Sequence, residues 1–472
     1  MKINSIHFVG IKGVGMTPLA VIAKEAGMKV SGSDIGETFI TDEILKKAKI
    51  IPLVGFSKNH IGNPDLVITT GAHGGFTNVE VIEAKKKEIK VITQGEAVGI
   101  FMKGKIFGRE QIGISVTGTH GKTTTTAIIA TILKGCYLDP SFLIGTGNVL
   151  SLGSSGHFGQ GKYFIAEADE YMTEPVFDKT IKFLWQYPKI AIFTNIEFDH
   201  PDAYKSLDDV KKAFLKFANQ LSEDAVLIAC QDNENVAEVL KSYSGRRITY
   251  GFSKETDFVI ENVKSKNGKL EFDLTGKGKS LGKFKLNVFG KHNALNATAA
   301  IIASLEAGLP IGAIKKALLL FVGTKRRSEY IGKLSTGAMV FDDYAHHPTE
   351  IRNTLSAFRN SFPRNKIVCI FQPHTYSRTK SLFEQFIHSF NDADIVVLTN
   401  IYASLREQPD STVSSEMLAE KMSRFKKNVI FLPKLSDVVK YISQKQFGRD
   451  TIIITMGAGD VYRMNERLNI KD

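Results

Sequence analysis

Cysteine is nearly absent from this chain. Cys136, Cys230 and Cys369 are its three, too far apart for a disulfide framework or a metal-ligand spacing, which points to a reducing compartment. All three are expected to be buried thiols. Tryptophan occurs once and proline 13 times, and no tract is biased toward one residue type, which excludes collagenous, fibrous and largely disordered chains. No apolar run reaches the ~20 residues that cross a bilayer. The opening Met-Lys-Ile-Asn-Ser-Ile-His-Phe-Val-Gly also lacks the basic segment and apolar stretch of a secretory signal, so a cytoplasmic protein with no membrane insertion is expected. Nor is charge of one sign gathered anywhere. Lys and Arg outnumber Asp and Glu 61 to 49, a formal +12, but they are dispersed, with no basic tail or aromatic-interleaved stripe. An anionic small-molecule substrate accounts for the sign, and no nucleic-acid partner is expected; an ATPase that binds nucleic acid is the weaker alternative.

What is present is apolar material for several cores: 43% of 472 residues, a length that predicts about three domains at roughly 150 residues each. The opening reads as βαβ, with a strand Ser5 to Val9, a helix from about Met16 to Ala26 and a strand Lys29 to Gly32; strands at Leu66 to Thr69 and Lys90 to Ile92 complete a first unit, 1–106. A second unit, 107–320, opens with the strand Ile112 to Thr117, a Gly-rich loop and a helix at Thr123. Buried parallel strands follow at Tyr163 to Ala166 and Ile190 to Phe193. Between Arg247 and Val288 the texture changes to alternating strands, Asp257 to Val263 and Lys269 to Leu274 being joined across Asn267-Gly268 as a hairpin, which predicts a small antiparallel attachment. A helix from His292 to Ala307 then stops at Gly308 and Pro310. The third unit, 321–472, repeats the strand–helix alternation with strands at Ala338 to Phe341, Lys366 to Phe371, Ile395 to Leu398, Val429 to Leu432 and Thr451 to Thr455. The expected fold class is α/β, with two outer units of related βαβ texture flanking the central one.

The strongest chemical signal is Thr117-Gly118-Thr119-His120-Gly121-Lys122-Thr123-Thr124, between an apolar strand and a helix. Backbone N–H groups of such a loop surround phosphate oxygens, Lys122 meets the β/γ charge and Thr123 can reach Mg²⁺. Val116 replaces the leading glycine of the usual spacing. Two other central strands end in Glu167-Ala168-Asp169-Glu170 and Asn195-Ile196-Glu197-Phe198-Asp199-His200, and strand carboxyl ends converge on the ligand crevice of a parallel sheet. Carboxylates there suit a hard cation; His200 suggests a softer contact or a second site. In the first unit, Gly10, Gly13 and Gly15, with Ser33-Asp34 after the second strand, can approach a diphosphate and a ribose. Asn293 and Asn296 begin a helix, where their amides could read an adenine edge or simply cap. The third unit adds Lys325-Arg326-Arg327, Asp342-Asp343-Tyr344-Ala345-His346-His347-Pro348-Thr349-Glu350 and Phe371-Gln372-Pro373-His374-Thr375-Tyr376-Ser377-Arg378, whose basic groups can neutralise anions formed in phosphoryl or acyl transfer.

Together these motifs, with Gly457-Ala458-Gly459-Asp460, resemble the Mur ligases of peptidoglycan synthesis, in that family's domain order and over essentially the whole chain. The resemblance implies a Rossmann-like, UDP-binding first domain, a central ATPase domain built on a P-loop sheet and a Rossmann-like third domain that closes over ATP and receives the amino acid. It implies ATP and Mg²⁺ as cofactors, and UDP-N-acetylmuramate and L-alanine as substrates of an amide ligation through an acyl phosphate, in a monomer or homodimer. By residue matching, Gly118, Thr119, His120, Gly121, Lys122, Thr123 and Thr124 would bind ATP with Asn293 and Asn296 at adenine. Thr123, Glu167 and His200 would hold metal. Lys122, His200, Arg326, Asp343 and His346 would be catalytic, and Gly10, Gly13, Gly15, Ser33, Asp34, His374 and Arg378 would bind the UDP substrate. Tyr171, where alanine-adding members typically have serine, and Phe177-Asp178-Lys179 look more like the relatives that reattach a murein tripeptide.

Overall fold

The computed structural model describes residues 3–174, 176–266, 268–403 and 407–471. Three large sheets follow one another along the chain, and a separate two-stranded hairpin pairs Met172–Glu174 with Asp178–Ile181. The first is five parallel strands in the order Leu53–Val54, Lys29–Asp34, Ser5–Val9, Leu66–Thr69, Lys90–Thr93. Strand order reverses direction on either side of Ser5–Val9, so a crevice opens at its carboxyl end, where Gly10 begins the glycine loop.

The central sheet has ten strands. Its parallel heart is Val226–Cys230, Ile190–Phe193, Ile112–Thr117, Tyr163–Glu167 and Ser141–Leu143, apolar on both faces because both are covered. The expected antiparallel attachment is Phe258–Lys266, Lys269–Gly276 and Lys279–Leu286. It is continuous with this sheet, pairing through Arg247–Gly251, and forms its edge. Of the predicted hairpin turn, Asn267 lies outside the described residues, while Gly268 has φ +76°. The third sheet is seven strands, five of them parallel around Lys366–Phe371 and Thr451–Met456; Glu329–Leu334 runs against them at one side, and the edge strand Ile470–Lys471 pairs antiparallel with it.

Period-two alternation on Tyr163–Glu167 explains how the first lobe is attached. Tyr163 and Ile165 face a core with the helix Lys122–Gly135 and the helix Lys291–Glu306, whereas Phe164 and Ala166 join the core of the first lobe with Val98, Phe101 and Met102. The first lobe thus serves as the second covering layer of the central sheet. Gly99 packs against the backbone of Trp185. Cys230 and Cys369 are buried as expected, but Cys136 is half-buried, because it follows the last turn of the helix Lys122–Gly135. Among the described residues no helix is long and apolar enough to cross a membrane.

A Cβ at Gly99 would stand 2.1 Å from the Trp185 carbonyl oxygen. Gly99→Ala gains about 1 kcal/mol of helix propensity, but overpacking of about 1–3 kcal/mol outweighs it. Thermal unfolding should show a lower Tm, while Gly62→Ala, with nothing within 4 Å of its Cβ, stays near the unchanged protein.

Candidate active site

Three adjacent strands of the central sheet deliver the phosphate loop, the Glu167–Glu170 segment and the Thr194–His200 segment to one edge. The loop itself has two glycines that no other residue could replace without a shift. At Gly118, with φ +137°, a Cβ would be 2.0 Å from Thr194 Oγ1, and at Gly121, with φ +83°, 2.5 Å from Asn296 Oδ1. Asn195 stitches the loop down: its Oδ1 accepts from His120 N (2.8 Å), its Nδ2 donates to His120 O (3.0 Å), and its own carbonyl accepts from Thr119 N (3.2 Å). The first helical bond runs from Thr125 N to Gly121 O, so the N–H groups of 121–124 have no helical acceptor and suit an anion.

Lys122 Nζ donates to Gly118 O (2.6 Å) and to both Glu170 oxygens (3.0 and 2.7 Å). Burial favours its neutral form, but Glu170 and Asp169 outweigh it and hold its pKa above the ordinary value. Thr123 Oγ1 donates to Glu167 Oε2 (3.1 Å), and Gly145 N to Glu167 Oε1 (2.6 Å). Burial raises the Glu167 pKa, a penalty that a bound cation would reverse. This all-oxygen pair fits Mg²⁺. His200, at φ +58°, stands instead with Glu170 and Asp199, their ligand atoms all within 4.8 Å of one another. The expected trio of Thr123, Glu167 and His200 is therefore two neighbouring groups, with Lys122 held by the carboxylate of the second.

Two cavities meet here. One of about 910 Å³ is lined by His120, Gly121, Thr124, Asn293, Asn296 and Asp343. The other, about 560 Å³, runs from Gly10, Gly13 and Gly15 past Lys122, Thr123, Glu167 and His200 to His346, His374 and Arg378. Ser33 and Asp34 line neither. Ser33 donates its hydroxyl to the buried Glu80, and Asp34 accepts from Lys12 N (2.7 Å) and Ile35 N (2.8 Å), so both brace the glycine loop from behind. Asn296 Nδ2 donates to Asn293 Oδ1 (3.1 Å), and Asn293 Nδ2 to Phe289 O (2.7 Å). Asp343 accepts from Ala345 N (2.8 Å) and Ser328 N (2.7 Å), so it shapes the wall it lines.

The arginine pair of the third lobe divides its work in a way the sequence does not reveal. Arg326 is 5% exposed, donates to Asp342 (2.9 Å), Gly457 O (2.6 Å) and Gly459 O (3.3 Å), and packs against Tyr344 and Tyr462. Its donors are committed to the fold, although it also lines the smaller cavity. Arg327 lines both cavities, as does its partner Glu350 at 3.4 Å, and these are the two residues common to them. Left-handed backbone at Arg326 (φ +58°) and Ser328 (φ +48°) produces this split. Arg378 donates to Asp199 (2.7 Å) and to His374 O (2.6 Å). Burial lowers the His346 pKa to about 3, so its ring is neutral.

Arg326→Ala strands Asp342 and should cost about 3–5 kcal/mol. Arg327→Ala, which removes a partly exposed ion pair with Glu350 and a contact with the Tyr344 ring, should cost about 1 kcal/mol. Thermal denaturation of the two variants distinguishes the roles.

Comparison with known proteins places these features in a wider set. Residues 5–106 match the model described as Mur ligase family, catalytic domain, residues 116–304 the Mur ligase middle domain, and residues 326–459 the Mur ligase, glutamate ligase domain. The UDP-N-acetylmuramate--L-alanine ligase of Desulfitobacterium hafniense is 40% identical over 98% of this chain and 99% of its own length. That of Trichlorobacter lovleyi is 39% identical over 99% and 98%. Among solved structures, the UDP-N-acetylmuramate-alanine ligase of Thermotoga maritima superposes with a TM-score of 0.81 at 29% identity, covering 98% of this chain and 97% of its own.

Proposed function

This chain belongs to the Mur ligase family, and from that premise we propose that it joins L-alanine to the carboxylate of UDP-N-acetylmuramate, with ATP converted to ADP and phosphate through an acyl phosphate. The observation that carries this reading is the junction of the two cavities at Arg327 and Glu350, beside Lys122. A nucleotide in the larger one points its last phosphate into the smaller. There the glycine loop of the first lobe can hold a diphosphate and the third lobe can receive an amine.

The muramyl carboxylate is a poor electrophile, so its oxygen attacks the γ-phosphorus as the bond to ADP breaks. Lys122 exchanges Glu170 for phosphate oxygens, and Arg327 reaches the same group from the other lobe. Thr123 and Glu167 would hold one Mg²⁺, with His200 and Glu170 at a second position; bound there, the ion neutralises charge on the polyphosphate. The amine of alanine then attacks the acyl carbon, phosphate leaves, and a proton is released. Gly10, Gly13 and Gly15 are assigned to the UDP diphosphate, His374 and Arg378 to the muramyl end, and Asn293 and Asn296 to adenine. The three units 1–106, 107–320 and 321–472 are assigned as the UDP, ATP and amino-acid lobes. Enclosure between them keeps water from the acyl phosphate.

A murein tripeptide as acceptor is the second reading, favoured by Tyr171. Its ring lines the smaller cavity against His200, with its hydroxyl donated to Asp202 (2.5 Å).

Incubation with ATP, UDP-N-acetylmuramate and either L-alanine or the tripeptide, followed by product mass, should give the alanyl product; coupling of the tripeptide alone would transfer the assignment. Lys122→Ala should lower substrate-dependent ADP release by about 10²–10³-fold. Near-normal turnover of that variant would contradict the phosphate-loop assignment.

A further inference from the structure

At the wall between the two cavities, the ring of His120 is clamped by carboxylates from two lobes. Its Nε2 lies 3.5 Å from Glu197 Oε2 on the central sheet, and its Nδ1 3.3 Å from Glu350 Oε1 on the third lobe; neither nitrogen is open to solvent. Glu350 is itself fixed at the third position of the helix Pro348–Ser361, accepting from His346 N (3.1 Å) and His347 N (3.4 Å). Glu197 accepts from Thr349 Oγ1 (2.7 Å).

The other charged or titratable groups facing this cluster are few. Arg327 and the His346 ring lie on Glu350, His347 lies 3.6 Å from Glu197, and His292 on the helix Lys291–Glu306 faces Arg327 and Glu350. Lys122, two residues on, is turned to Glu170. A metal ion is disfavoured because His347 has no lone pair to give: its Nδ1 accepts from Thr349 N and its Nε2 points at Phe198 O. His346 and His347 are held neutral by burial, at about 3 and about 4. Both His120 nitrogens are buried within 3.5 Å of a carboxylate oxygen yet have no hydrogen-bond partner as placed, and a proton on each would answer both carboxylates at once.

We propose that Glu350 is a positioning residue for the nucleotide site: with Glu197 it keeps the phosphate-loop imidazole of His120 protonated, and this carboxylate–imidazolium–carboxylate bridge joins the loop to the third lobe. Burial opposes the charge, but Glu350 and Glu197 outweigh it and push the His120 pKa up to about 10. A base whose pKa rises on folding contributes fully below its unfolded value and is lost as pH climbs through the folded one, so the bridge is intact at neutral pH and is lost near pH 10. The inference rests on the nucleotide part of the proposed function and is independent of which acceptor is used.

The test is the full chain with isotope-labelled histidine, His120 being assigned through His120→Asn. In the unchanged protein the His120 ring should keep imidazolium shifts from about pH 6 to pH 9, and ADP affinity should be flat over that range. In Glu350→Gln the ring should titrate within the range. ADP should then bind at least as tightly as to the unchanged protein at about pH 6 but about tenfold more weakly at pH 9. Glu350→Asp should restore part of the plateau. A His120 midpoint near 6.5 in the unchanged protein overturns the proposal, and needs no variant to fold. Equal weakening of ADP at both pH values in Glu350→Gln also overturns it, since that is the mark of lost packing alone. Failure to couple alanine leaves these readouts untouched and falls on the ligase reading instead.

Discussion

The Asn195 side chain holds the phosphate loop where it stands. A loop at the edge of a parallel sheet must find partners for its peptide groups, and this amide supplies both an acceptor and a donor to His120. The residues that follow are gripped from the other side: Glu197 by Thr349, the Phe198 carbonyl by His347, and Asp199 by Arg378. One segment, 194–200, therefore fixes the phosphate loop, carries His200 and anchors the third lobe. Displacing it would move all three at once.

Much of the architecture was legible because the strands are long apolar runs bounded by turn residues. Ser5–Val9, Leu66–Thr69, Ile112–Thr117, Ile190–Phe193, Lys366–Phe371 and Ile395–Leu398 stand at the positions their periodicity predicts. The hairpin of Met172–Glu174 and Asp178–Ile181 was not legible, since its residues are short, polar and paired only with each other. Neither was the continuity of the antiparallel edge with the central sheet, a property of long-range pairing that local texture does not encode.

Which chemical groups gather at the site was readable from strand-end position; how two neighbours divide between one cavity and both was not. Arg326 and Arg327 are indistinguishable by type, and only the left-handed turn separates them. Ser33 and Asp34 follow their strand as a ribose-binding pair would, yet Glu80, 47 residues beyond Ser33, accepts the serine hydroxyl. Glu350 ends the motif that begins at Asp342, but nothing in that motif assigns the acid a partner. Its significance comes from His120, 230 residues earlier, and that proximity exists only in the folded chain.

The layer formed by the first lobe has a consequence for synthesis. Phe101 and Met102, on the helix Gln94–Lys103, share their core with Phe164 and Ala166, so a nascent chain emerging from the ribosome completes the first lobe while the outer apolar side of that helix still faces solvent. At about 5–20 residues per second, the strand that covers that side is made some 3–13 s later. During that interval the side chains that later seal the two lobes together stay exposed, so the first lobe reaches its final packing only once the central sheet has begun to form.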